Sequence, residues 1–157
     1  MRSSLTALLI APLLLAGCAS MPRGAADAPL PEPPLFTEAA GAATRDADTL
    51  FVVVHGDGKG GTAIDLKPFA QSLATAAPTS AVVRVLRPGF ADGSGNQSTG
   101  VQGDGNGDNY TADRIATVAD TIAALRARYR RARVIAIGEG GGAALVANNA
   151  GLKPGLL

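Results

Sequence analysis

Arg133-Val-Ile-Ala-Ile-Gly138-Glu139-Gly140-Gly141-Gly142-Ala143-Ala144 decides the fold. Val134 to Ile137 is short and apolar, which suits a strand covered on both faces. Gly138, Gly140, Gly141 and Gly142 then permit a turn too tight for ordinary side chains. The residues after Gly142 are small and apolar and read as a short Ala-rich helix, with Gly151 placed to cap its end.

Reading upstream gives the same alternation twice more. Leu50 to His55 is a β-branched apolar run and reads as a strand. Pro68 to Ala77 carries Phe69, Leu73 and Ala76 at helical spacing, with Pro68 suited to a first turn and Pro78 as a stop. Ala81 to Leu86 reads as a second strand, followed by a polar loop from Arg87 to Asn109. Ile115, Val118, Ile122, Leu125 and Tyr129 step by three and four, one apolar stripe of an amphipathic helix. Thr111 or Asn109 can cap that helix, and Asp113 lies in its first turn. The β-α-β-α-β-α order predicts a three-layer α/β domain with a parallel sheet and right-handed crossovers.

Three segments together resemble the N-terminal part of the α/β-hydrolase superfamily, in its bacterial serine esterase and peptidase branches. They are His55-Gly56-Asp57-Gly58 after the first strand, Arg87-Pro88-Gly89 with Gly95 to Gly100 after the second, and the glycine turn after the third. The turn matches the nucleophile elbow G-x-S-x-G with glycine where serine stands. The resemblance spans about residues 49 to 155 and implies a partial hydrolase fold with the 51–54 strand central. It also implies further strands carrying the acid and the histidine of a triad. None is found before Leu157, so the domain is expected to be truncated or degenerate.

Carried onto this sequence, the resemblance puts Gly140 at the nucleophile position. Glycine has no group to attack an acyl carbon. Asp57 or Gly58, together with Gly141, would supply oxyanion-hole N–H groups. His55, Gly56 and Ser98 would support the loops. His55 is the only histidine, and it belongs to the oxyanion loop, which leaves the elbow without a base. Glu139 reads as an exposed spacer. A pseudoenzyme is expected, whose relatives would act on acyl esters or peptides; the alternative is a non-catalytic module holding such a ligand.

Two glycine patterns, Gly56 to Gly61 and Gly138 to Ala143, also fit a dinucleotide fingerprint after a strand and before a helix. No acidic residue follows Glu139, so the second lacks its ribose partner; the first has Arg84 and Arg87 near its second strand, which would suit a 2′-phosphate, and a dinucleotide-binding fragment is the less favoured alternative. Asp104 to Asn109 has the spacing of a calcium loop without its glycine and glutamate. No cofactor and no metal are expected.

The first 17 residues read as a signal peptide. Arg2 is its positive start, and Leu5 to Leu15 is an apolar run too short to span a bilayer. Leu15-Ala16-Gly17-Cys18 resembles a bacterial lipobox, which implies acylation at Cys18 and a lipid anchor in the cell envelope, facing periplasm or exterior. Residues 18–48, rich in Ala and Pro, are expected to be a disordered tether, leaving 49–157 as one small domain. One cysteine excludes an internal disulfide. The net charge of +1 and the scarcity of aromatic residues give no nucleic-acid signature. The arginines from Arg126 to Arg133 read as a solvated helix end. The 133–137 strand is expected at a bare sheet edge, open to self-association.

Overall fold

A computed structural model describes residues 29–103 and 110–157. The signal peptide, Cys18, the potential cap Asn109 and the calcium-like loop lie outside the described residues. Four strands form one sheet: β1 (Thr37–Gly41), β2 (Thr49–Val54), β3 (Ser80–Val85) and β4 (Arg133–Gly138), in the order β1-β3-β2-β4. Three α-helices connect or follow them: α1 (Lys67–Ala76), α2 (Ala112–Arg128) and α3 (Gly141–Leu152).

β2 pairs in parallel with both β3 and β4, so the 49–54 strand is internal and β4 forms one edge. The sheet is nevertheless mixed rather than parallel, because β1 runs antiparallel to β3, with Thr37 opposite Val85 and Gly41 opposite Ala81. This corrects the tether boundary as well. β1 lies inside the stretch expected to be disordered, and Leu35 and Ala47 on either side of it are buried. The strand gains its stability from the ladder on β3. Its Glu38 carboxylate also pairs with Arg84 of β3 and with Lys67 of α1.

Alternation along β2 sorts the core into two layers. Leu50, Val52 and Val54 join Ile115, Val118, Ile122 and Leu125 of α2 and Leu145 of α3. Val53 and partly buried Phe51 face the other way, toward Ala70 and Leu73 of α1. Each fully buried Leu, Ile or Val contributes about 1.5–3 kcal/mol. Asp113 in the first turn of α2, and Arg126 and Arg128 in its last, complement the helix dipole.

In α3 the buried positions are Gly141, Gly142, Leu145 and Asn149, one face at helical spacing. The helix runs through Gly151, which therefore is not its cap. Lys153 occupies the cap position, and its N–H returns to Asn149 O.

Candidate functional site

The parallel strands β2, β3 and β4 end on the same side of the sheet, and the loops leaving them meet there. Gly140 lies between β4 and α3 with φ +50° and ψ −118°. That conformation strains any residue with a Cβ. A Cβ at 140 would touch only Gly56 Cα, at 3.5 Å, so the space is open although the backbone is strained. The flanking glycines are closed by contrast. A Cβ at 138 would run into the Ala143 backbone, and one at 142 into the carbonyl oxygens of Val54 and His55. Neither Gly140 nor Gly141 donates its N–H to another described residue.

His55 leaves β2 as a buried residue with both ring nitrogens engaged. Its Nε2 accepts the Arg87 N–H at 2.9 Å, so its Nδ1 carries the proton and donates to Gly56 O at 2.6 Å. Burial, more than the neighbouring Arg87 charge, lowers its pKa from 6.5 to about 4. The imidazole is a neutral brace with no lone pair left for a hydroxyl at position 140. Gly56 has no room for a Cβ because the Glu139 side chain and carbonyl lie against it. The first loop and the elbow thus touch.

Of the two upstream donors expected from sequence, Gly58 is committed elsewhere. Its N–H donates to Thr62 O at 2.8 Å, closing a short turn. The Asp57 N–H has no partner among the described residues, and the Asp57 carboxylate lies against the start of α3, where Gly141 has no side chain to obstruct it.

Arg87, read from the sequence as the start of the loop after the second strand, belongs to this site. It is 1% exposed, and its Nη2 lies 3.0 Å from Asp57 Oδ1. The contact has the distance of a charge pair without the alignment of a hydrogen bond, and Nη2 has no hydrogen-bonding partner. Nη1 donates to His55 O at 3.4 Å. The guanidinium also stacks 4.4 Å from the Phe90 ring centre and 5.9 Å from that of Tyr110. An arginine ending a strand ahead of Pro-Gly was the available signal; its burial depends on Phe90 and Tyr110, which lie at the two ends of the connection from β3 to α2.

Ser98 is also fully engaged. Its hydroxyl donates to Leu86 O at 2.6 Å and accepts the Phe36 N–H at 3.0 Å. It thereby fastens the entry of β1 to the exit of β3, leaving no role as a nucleophile. Glu139 is exposed, at the rim of a cleft of about 240 Å³ lined by Val53, Leu66, Phe69, Ile137 and Gly138. Position 140, Gly141, Asp57, His55 and Gly56 therefore converge, while Ser98 stands behind them as a structural fastener.

The glycine pattern from Gly56 to Gly61 does not open a helix. It runs through a 3₁₀ turn at Lys59–Gly61, and α1 begins only at Lys67, so this stretch presents no helix N-terminus to a pyrophosphate. Among the described residues no three His, Cys, Asp or Glu side chains cluster as metal ligands. Compared with known proteins, the chain matches no family model and no curated protein sequence.

Proposed function

We propose that this chain is a membrane-anchored lipoprotein of α/β-hydrolase type that has kept the elbow and its amide donors but performs no acyl-enzyme chemistry. The observation that carries the reading is Gly140 at φ +50° on the strand-to-helix turn, flanked by Asp57 and Gly141 N–H groups that have no partner among the described residues. This geometry suits an oxyanion, while the position that would attack has no side chain. The only imidazole is neutral and fully hydrogen-bonded, so no base stands ready. A fluorophosphonate probe tests the proposal. The 157-residue chain should label at no serine; covalent labelling, at Ser98 or elsewhere, would restore a catalytic reading.

The apolar cleft beside Glu139 favours a second reading, a non-catalytic module that holds the acyl part of an ester or peptide ligand. A non-hydrolysable alkyl ketone should then bind saturably and shift the amide signals of Asp57 and Gly141. Absence of saturable binding would remove this reading.

A further inference from the structure

We infer that the end of the domain opposite the elbow is an electrostatic docking face for anionic phospholipid, which turns the candidate site away from the membrane. The inference rests on the lipid-anchor reading of Cys18. Arg45, Arg128, Arg130 and Arg131 line one open concave surface where β2 and β4 begin. Arg133 is exposed at the first position of β4 beside them. Among the described residues three side-chain carboxylates share this end: Asp46 pairs with Arg45, Glu32 pairs with Arg128, and Asp48 precedes β2. No described carboxylate forms an ion pair with Arg130, Arg131 or Arg133, and Arg130 only donates Nε to Ala127 O. The face is therefore net positive and open to phosphate groups.

The path of the chain selects a membrane over other polyanions. Arg128 holds the entering segment, with Nη2 2.6 Å from Glu32 Oε2 and Nε donating to Pro31 O at 3.4 Å. The chain arriving from Cys18 thus joins the domain at its basic end. The 13 residue steps from Cys18 to Pro31 reach at most about 45 Å, so an anchor at Cys18 holds the basic end within that distance of headgroups. Each cation near such a surface adds about 1 kcal/mol of attraction. The sheet then stands on end, and six-residue strands lift Gly140 roughly 20 Å clear of the lipid.

The test is co-sedimentation of the full chain as Cys18→Ser, which removes acylation and isolates the face. Vesicles are phosphatidylcholine alone, or the same with about one third phosphatidylglycerol. Any contribution from the apolar Leu5 to Leu15 run is common to both. Phosphatidylglycerol should raise partitioning at least about tenfold, and high salt should abolish that excess. The triple variant Arg130→Gln, Arg131→Gln, Arg133→Gln should lose the excess while keeping the circular dichroism spectrum. Equal partitioning on both vesicles, an unchanged triple variant, or tighter binding to duplex DNA than to the anionic vesicles would each overturn the inference. Palmitate labelling of the unmodified chain reads the anchor separately: failure there with anionic binding retained removes the anchor and leaves the face.

Discussion

The Arg87 backbone N–H donates to His55 Nε2 across 2.9 Å, and this bond fixes the state of the chain's only histidine. It joins the ends of β3 and β2, forces the proton onto Nδ1, and removes the lone pair that a general base would use. The buried Arg87 cation then sits beside a ring that must stay neutral.

The pH dependence follows from that state. In the unfolded chain His55 protonates near pH 6.5, and in the folded protein near 4. Its contribution to stability is therefore complete above about pH 6.5 and declines as pH falls through the window down to 4. The loss across that window is on the order of 3 kcal/mol. Denaturant melts at pH 7 and pH 4.5 measure it. The single imidazole resonance should hold its neutral position at pH 5.5, and a midpoint near 6.5 would contradict the bonding described.

The elbow glycines should differ sharply from one another. Gly142→Ala drives a Cβ into two backbone carbonyls and should cost about 3 kcal/mol or prevent folding. Gly140→Ala meets only Gly56 Cα and should cost about 1–3 kcal/mol, from backbone strain alone. Thermal melts of the pair check the order. Gly142→Ala melting at or above Gly140→Ala would show that the turn is built differently.

Ser98→Ala leaves the Leu86 carbonyl and the Phe36 amide without their hydroxyl partner. Loss of about 1–3 kcal/mol is expected, with faster amide exchange in β1 than in β2. Exchange rising equally in all four strands would mean that Ser98 does not specifically fasten β1.

Much of this architecture can be read from the chain. The three apolar runs at β2, β3 and β4 announce themselves by their β-branched residues, although β4, expected to be covered on both faces, is an edge strand whose side chains are at most partly buried, and the α2 stripe announces itself because its period is helical. Thr37-Glu-Ala-Ala-Gly41 carries no such signal. It is an edge strand of small residues, held by its ladder on β3 and by the Glu38–Arg84 pair, neither of which has a local signature. The glycine turn is legible because only glycine satisfies its contacts. The burial of Arg87 is not, since it requires Asp57 from the loop after β2 and Phe90 and Tyr110 from the two ends of the β3–α2 connection to meet around it. The commitment of the Gly58 amide to Thr62 is likewise a matter of turn geometry that G-D-G-K-G-G leaves open.

Acylation is tested by metabolic labelling. Labelled palmitate should enter the chain, and Cys18→Ser should abolish incorporation and move the protein toward the soluble fraction. Unchanged labelling in that variant would place the lipid elsewhere or remove it from the account.

The absence of a base at position 140 is tested with the Gly140→Ser chain of 157 residues, mixed rapidly with a p-nitrophenyl ester. The serine fits the open space at the elbow and faces the free amides, but His55 is held by Arg87 and Gly56 and takes no proton from it. No burst of p-nitrophenolate and no acyl-enzyme by mass spectrometry are expected. A stoichiometric burst followed by steady turnover would contradict this, showing that some group within these residues acts as the base.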